Sequence, residues 1–279
     1  MRTLGRIAAL LFIALFAGSS AAPGARETDI AISGSSTVMP LAELSAEELL
    51  LLQNCYHVSV ASGGTGVGIV DVAEGRSKIA MASREVKPVE QQRYESADRK
   101  FEQFLVGYDA ICLVVSPKVF DSGVASLTRE QVREIYTGEI TNWKRVGGPN
   151  KEIFAIGRKA GSGTRDTFNE VILGSIEAEV PGEAMEASDS SEVKTAIMTA
   201  NNAIGYVGYS FVLRGDTKVV SLDGVSPTIE NIKKGLYPLA RKLYFYTLGD
   251  PAPGPRAFME YLHSPEGQKI AVENGFIPS

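Results

Sequence analysis

Small and hydroxyl side chains are concentrated in residues 157–167, which read GRKAGSGTRDT and follow the apolar run 153–156. Gly161 and Gly163 lack the Cβ atoms that would keep a ligand off the backbone, so several N–H groups can converge on one anion. The same stretch supplies two hydroxyl donors and one permanent cation, namely Ser162, Thr164 and Arg158. Since an arginine fork suits the oxygens of phosphate-like anions, this chemistry predicts an anion-binding loop.

A helix directly after this loop would strengthen the anion site. Apolar residues at 168, 171, 172 and 173 indicate such a helix, and Ser162 or Thr164 is a suitable N-cap. The unpaired N–H groups and the positive dipole end of the helix then point to the same spot. An isolated GSGT is also compatible with a flexible surface turn in which Arg158 and Arg165 are solvated, because short glycine motifs occur often by chance.

Three other segments repeat the order of strand, small or hydroxyl residues, then helix, and they favour the anion site over the turn. They are GSST at 34–37 after a strand at 29–33, SGGTG at 62–66 after a strand at 57–61, and Ser83-Arg84 after a strand at 78–82. Strands that alternate with helices are typical of a parallel α/β sheet, whose strand ends gather at one edge. All four segments are therefore expected to meet at one ligand site.

One charge, Asp109, interrupts the apolar strand region 103–115. Carboxylates in apolar surroundings are usually paired, so a partner arginine is one explanation. Recognition of a protonated ligand is the other, since a carboxylate accepts hydrogen bonds and donates none. Both roles stay open at this point.

The amino terminus has the pattern of a secretory signal peptide. Arg2 and Arg6 precede the apolar run 7–17, which is too short to span a bilayer, and small residues follow. We predict a leader at 1–22, cleaved between residues 19 and 25, and a periplasmic protein without a membrane anchor. Removing the two arginines takes the formal charge from −5 to about −7, which argues against nucleic acid as a partner.

The rare side chains exclude several kinds of site. His57 and His263 are the only histidines and stand far apart without ligand-spaced partners, so neither a metal site nor a Ser-His-Asp triad is expected. Cys55 and Cys112 are compatible with one disulfide in an oxidising compartment, but their spacing leaves open whether they pair. Trp143, the single tryptophan, is expected to pack in a core. We therefore expect no catalytic residue and no cofactor.

Eight segments in one order make the chain similar to the phosphate-binding, PstS-type component of bacterial high-affinity phosphate ABC transporters, in its shorter form. They cover almost the whole mature chain: ISGSSTV at 32–38, ASGGTGVGI at 61–69, IAMASRE at 79–85, GYDAI at 107–111, IYTGEITNWKRVGGP at 135–149, GRKAGSGTRDTF at 157–168, AIGYVGY at 203–209 and SPEGQKIAVENGFIP at 264–278. The resemblance implies a type II periplasmic binding protein fold, in which two α/β lobes joined by a hinge close over one phosphate. It places the first lobe at 29–113 and 203–279 and the second at 114–202.

The resemblance also implies which positions contact the phosphate. They are Ser36, Thr37 and the backbone of Val38 in the first segment, Ser62 in the second, and Arg158, Gly161, Ser162, Gly163 and Thr164 in the glycine-rich loop. The chain departs from longer family members at Ala82-Ser83-Arg84. In those members the resemblance implies a Ser-Asp pair at this place, whose aspartate accepts the phosphate proton. Ser83 and Arg84 are therefore candidate site residues. Asp109 is the candidate proton acceptor, ahead of Glu85 and Ser83.

The resemblance implies a monomeric protein that binds inorganic phosphate and delivers it to the membrane permease subunits of an ABC transporter. A receptor for sulfate or molybdate would use the same loops, and a sensor that presents its closed state to a membrane kinase would use the same lobe closure. A secreted phosphatase would gather similar residues, but it would need an activated nucleophile or a metal pair, which the sequence does not offer. Binding without catalysis is the expected function.

Overall fold

The structure is a computed structural model that describes residues 29–52, 56–213 and 215–278. The predicted leader at 1–22 and Cys55 lie outside the described residues. Cys112 is buried and has no disulfide partner among the described residues. None of the helices in the described ranges is both long and apolar enough to cross a bilayer.

Strands and helices alternate along the described chain. The strands are β1 (Asp29–Gly34), β2 (His57–Ser62), β3 (Ile79–Ala82), β4 (Phe101–Val115), β5 (Ser126–Leu127), β6 (Phe154–Arg158), β7 (Glu183–Ala187), β8 (Ala203–Gly208), β9 (Lys218–Leu222) and β10 (Ala240–Leu248). The α-helices are α1 (Met39–Leu52), α2 (Thr65–Ala73), α3 (Pro88–Tyr94), α4 (Pro117–Asp121), α5 (Arg129–Tyr136), α6 (Gly163–Phe168), α7 (Ser190–Thr199), α8 (Ile229–Lys233), α9 (Pro253–His263) and α10 (Pro265–Glu273).

The helix after the glycine-rich loop begins at Gly163, directly after a predicted N-cap residue. Ser162 is the N-cap of α6, and its Oγ accepts a hydrogen bond from Arg165 N at 3.3 Å. The helix continues as a π-helical turn over Asn169–Leu173 and ends at Gly174, whose positive φ of 82° suits a residue without a side chain. The predicted helix is therefore confirmed, and of the two proposed caps, Ser162 and Thr164, the structure has Ser162.

The strands form a mixed sheet in the order β2-β1-β3-β10-β4-β8-β6-β7. β1 pairs parallel with β2 and β3, and β6 pairs parallel with β7 and β8. β10 runs antiparallel to both β3 and β4, and β8 runs antiparallel to β4. The sequence-based expectation of a parallel sheet is therefore right for each outer group of strands and wrong for the centre.

Two strands cross between the halves of the sheet. The first part of β4 pairs with β10 as far as Ala110, and its last residues, from Ile111 onwards, pair with β8. β10 begins at Ala240, opposite Ala110, and carries the chain back. Each half is then an α/β lobe, and the two crossings form the connection between the lobes.

Each lobe has its own hydrophobic core on both faces of its strands. In the first lobe one cluster contains Ile32 and Phe245, and another contains Ile69 and Tyr246. In the second lobe the corresponding clusters form around Trp143 and around β6 and β8. Trp143 is fully buried, and its Nε1 donates to Asn202 O at 2.7 Å, which confirms the packing role predicted for it.

Strand pairing moves one predicted lobe boundary. The sequence placed the return to the first lobe at residue 203, but β8 pairs with β6 and β4, and β9 pairs with β4. Ile204 and Val220 lie in the same core as Trp143. The pairing of β8 and β9 therefore groups residues 203–208 and 218–222 with the second half of the sheet. A buried strand has the same apolar sequence in either lobe, so the apolar pattern of β8 could not show which lobe contains it.

Candidate functional site

The glycine and hydroxyl segments that the sequence predicted to converge do meet where the two lobes face each other. Gly66 N donates to Gly161 O at 2.9 Å. Thr37 Oγ1 lies 3.1 Å from Thr164 Oγ1, and Ser36 Oγ lies 3.3 Å from Ser190 Oγ. The first partner of each pair lies in the first lobe and the second partner in the second lobe, so this is a closed arrangement of the lobes.

Arg158, the last residue of β6, is a buried cation at this junction. The residue is 1 % exposed. Its Nη1 donates to Ser190 Oγ at 3.1 Å, and its Nη2 donates to Ser36 Oγ at 3.3 Å and to Ser188 O at 3.2 Å. Its Nε has no hydrogen-bond partner among the described residues.

Hydroxyl and carbonyl oxygens surround the Arg158 guanidinium, and no carboxylate of the described chain reaches it within salt-bridge distance. Burial lowers the pKa of Arg158 and the positive charge of Arg241 adds to that effect, while the carboxylates of Asp189 and Glu192, which do not contact the guanidinium, oppose it. A guanidinium is so basic that it keeps its charge even when buried. A buried charge without a counter-charge is costly, so this side chain is suited to an anionic ligand.

Arg241 is a second buried arginine at the same place, and the sequence analysis missed it. It is 8 % exposed, in β10. Its Nη1 donates to Thr164 Oγ1 at 3.0 Å and its Nη2 to Thr37 Oγ1 at 3.1 Å, so one guanidinium contacts both lobes. The available signal was a basic residue at the start of an apolar strand, the counterpart of Asp109 in β4.

Asp109 is the counter-ion of Arg241. The two residues lie directly opposite each other in the β4–β10 ladder. Asp109 Oδ2 accepts from Arg241 Nη2 at 2.8 Å and from Nε at 3.1 Å, and Oδ1 accepts from Tyr209 N at 2.9 Å. The geometry favours the structural-partner explanation for this carboxylate, with Arg241 as a partner that the sequence analysis did not consider.

The glycine-rich loop approaches the first lobe closely. A Cβ at Gly163 would overlap Thr65 Oγ1 and lie 2.6 Å from Ser83 Oγ, so only glycine fits there. Ser83 N donates to Thr65 Oγ1 at 3.1 Å. The structure thus brings Ser83 to the site, as the sequence proposed, and adds Thr65, which begins α2.

Three proposed positions lie differently from the expectation. Ser62 is exposed at the end of the edge strand β2, and within the described ranges its side chain has no hydrogen bond to the site; Thr65 lies there instead. Val38 N donates to Ser35 O at 3.1 Å, which closes the turn before α1. Arg84 donates to Asp166 and Glu90, so its guanidinium is already paired with two carboxylates.

Glu183 is a half-buried carboxylate beside the strand that carries Arg158. Glu183, the first residue of β7, packs over Gly157, where any side chain would overlap its carboxyl group. Glu183 Oε1 has no hydrogen-bond partner within the described chain. Burial raises the pKa of Glu183 to about 7, while the positive charge of Arg165 opposes the shift and Glu186 adds to it.

Sequence comparison relates the chain to a family of binding proteins. The PBP superfamily domain matches residues 19–266. The phosphate-binding protein PstS of Bacillus subtilis is 32 % identical over 251 residues, which span 89 % of this chain and 80 % of the relative. The PstS of Staphylococcus saprophyticus is 31 % identical over 285 residues, which span 97 % of this chain and 86 % of the relative.

Solved structures give the same relationship. A Clostridium perfringens protein, described as a phosphate ABC transporter substrate-binding protein and solved with bound phosphate, superposes with a TM-score of 0.82 at 31 % identity over 90 % of this chain and 99 % of its own. An ABC-type phosphate transport receptor of Vibrio cholerae superposes with a TM-score of 0.71 at 30 % identity over 90 % of this chain and 100 % of its own.

Glu183→Gln is expected to change how stability depends on pH. The pKa of Glu183 is raised in the folded protein from 4.5 to about 7, so folding favours the protonated form. Below about 4.5 the carboxyl is protonated in both states and costs nothing; as the pH rises to about 7, the wild type loses stability. Because the group is partly exposed, we expect Gln to gain about 1–2 kcal/mol over wild type at pH 8 and little at pH 5.

Urea unfolding at the two pH values measures this effect, with Glu102→Gln as the control, since Glu102 is an exposed strand carboxylate in the first lobe, away from Glu183. Parallel stability curves for wild type and Glu183→Gln from pH 5 to pH 8 would show that Glu183 does not titrate in this range.

Proposed function

This chain belongs to the PBP superfamily and, within it, to the PstS family of phosphate-binding proteins, and from this premise we propose that it binds inorganic phosphate between its two lobes. We propose further that it does so in the periplasm, as a monomer, and delivers the anion to the permease of an ABC transporter. Closure of the lobes is the step that a permease would recognise.

The observation that carries this proposal is the pair of buried guanidinium groups at the lobe junction. Asp109 balances the charge of Arg241, whereas the charge of Arg158 has only hydroxyl and carbonyl oxygens around it. An uncompensated buried charge costs several kcal/mol, which a bound anion would offset. The site is therefore built to be completed by a negative charge.

The proposed ligand set comes from both lobes. Besides Arg158 it consists of hydroxyl groups and loop backbone at the lobe junction, namely Ser36, Thr37, Ser83, Ser162, Gly161, Gly163, Thr164 and Ser190. In the first turn of α6 the backbone N–H groups of Gly163 and Thr164 precede the N–H that the Ser162 cap accepts, and they add donors for an oxyanion. Arg241 donates hydrogen bonds to Thr37 and Thr164, and we propose that it positions these two hydroxyl groups for the anion.

The serines of this site are placed for binding and not for attack on a substrate. Ser36 and Ser190 hydrogen-bond to each other and to Arg158, and Ser83 bonds to Thr65. An activated nucleophile needs a base at its hydroxyl, and these partners are not bases. We infer a binding protein and not a phosphatase.

Arg158→Ala is expected to weaken phosphate binding by about 2–4 kcal/mol, or roughly 30- to 1,000-fold, because a charge-assisted contact in a buried site is lost. The same change removes an uncompensated buried charge, so the ligand-free variant should be at least as stable as wild type. Calorimetric titration and thermal unfolding measure the two effects. Arg133→Ala is the control, since Arg133 pairs with Glu130 on an exposed helix face.

Wild-type affinity in Arg158→Ala would mean that the guanidinium has no role in the site. A large loss of stability without ligand would instead assign Arg158 to the fold.

Phosphate is expected to raise the melting temperature more than sulfate does. Ligand binding to the folded state alone adds about 2.7 kcal/mol of stability at 100 times Kd. Phosphate near neutral pH keeps a proton that the acceptor oxygens of the site can receive, and sulfate has none to donate. Differential scanning fluorimetry at matched ionic strength compares the two anions. Equal shifts would favour the general oxyanion receptor.

Asp109→Asn tests whether this carboxylate reads the ligand's proton. Asp109 orients Arg241, so its loss should weaken phosphate and sulfate together and leave their affinity ratio within about twofold of wild type. An Asn side chain also offers an NH₂ donor, which would suit a fully deprotonated oxygen. A ratio shifted tenfold or more toward sulfate in calorimetry would show that Asp109 accepts the phosphate proton directly.

A further inference from the structure

Arg84 forms an ion pair across the gap between the lobes. It follows β3 in the first lobe, and its Nε donates to Asp166 Oδ2, in α6 of the second lobe, at 2.6 Å. Its Nη1 and Nη2 each donate to one oxygen of Glu90, both at 2.8 Å. The Arg84 and Asp166 side chains are only 8 % and 6 % exposed, so this bridge is largely shielded from water.

Lys87 adds a second contact to the same carboxylate. Its Nζ lies 3.1 Å from Asp166 Oδ2, while its backbone N donates to Glu90 Oε2 at 2.7 Å. Arg84, Lys87 and Glu90 all belong to the segment 84–90 of the first lobe, in which Glu85 and Glu90 balance the two cations. The attraction to the second lobe therefore comes from the direct contacts of Arg84 and Lys87 with Asp166. The Arg84 bridge, defined as Arg84, Lys87, Glu90 and Asp166, therefore attracts one lobe to the other.

The Arg84 bridge is adjacent to the proposed anion site at both of its ends. Arg84 directly follows Ser83, and Asp166 lies one helical position beyond Arg165, close to Thr164. The backbone contact between Gly66 and Gly161 lies on the same side of the junction. If the lobes separated, Arg84 would keep Glu90 and lose Asp166, because Glu90 moves with it.

Resting on the proposed function, we propose that the Arg84 bridge is a latch that holds the closed lobes together independently of the anion and so sets how slowly phosphate is released. Most N–H donors of Arg84 are already engaged by carboxylates and by Glu85 O, so it acts on the ligand through lobe closure and not by contact. The bridge forms only when the lobes close, so its loss should act mainly on dissociation.

Asp166→Asn tests the latch, since it removes the charge at nearly constant size. We expect the dissociation rate of phosphate, measured by stopped-flow displacement, to rise about tenfold, with the association rate changed less than about threefold. Dissociation from wild type should accelerate with salt, and the variant should lose much of this dependence. Asp216→Asn is the matched control, because Asp216 pairs with Lys194 inside the second lobe at 2.9 Å.

A double-mutant cycle separates the latch from direct ligand contact. In the Asp166→Asn background, Arg84→Gln should change the dissociation rate of phosphate little further, because both changes break the same interaction. Independent effects of the two changes, or a wild-type dissociation rate in Asp166→Asn, would overturn the latch while leaving phosphate binding intact.

Small-angle scattering of the ligand-free protein supplies a readout that does not need phosphate. At low salt the latch predicts a smaller radius of gyration for wild type than for Asp166→Asn. Failure of wild type to bind phosphate would refute the proposed function but not the latch. Equal radii of gyration for wild type and Asp166→Asn would refute the latch.

Discussion

The positive charge of Arg158, buried at the junction of two lobes, is the constraint on which the rest of the site depends. A guanidinium in that position must be surrounded by oxygens, and the protein supplies them from Ser36 in one lobe and Ser190 in the other. Neutral oxygens satisfy hydrogen bonds but do not cancel the charge. The closed arrangement therefore becomes most favourable when an anion is bound, which couples recognition to lobe closure.

The crossing strands carry the second charge. Asp109 lies in β4 just before the first crossing, and Arg241 lies in β10 just after the return. Pairing across the ladder holds this guanidinium at the hinge, from which it contacts Thr37 and Thr164 on opposite lobes. The connection between the lobes is thus also part of the site. A movement of the lobes therefore changes the geometry of the hydrogen-bond donors at the same time.

Two kinds of contact hold the closed state, and they differ in what they require. Arg158 at the centre requires a ligand to complete its surroundings, whereas Arg84 and Asp166 compensate each other. An ion pair that needs no ligand favours closure at all times, and the uncompensated charge of Arg158 opposes closure until an anion arrives. The balance of these terms would decide how open the ligand-free protein is.

Much of this site could be predicted from sequence because it depends on neighbours within a few residues. The Ser162 cap, the glycine at 163 and the convergence of hydroxyl segments all follow from local pattern and from strand ends that share an edge. Only the tertiary structure decided which charges pair. Asp109 and Arg241 are 132 positions apart and Arg84 and Asp166 are 82 apart, so no local pattern distinguishes a counter-ion from a ligand contact. The sequence placed β8 in the first lobe, whereas β8 pairs with β6, because an apolar strand fits either sheet until its neighbours are known.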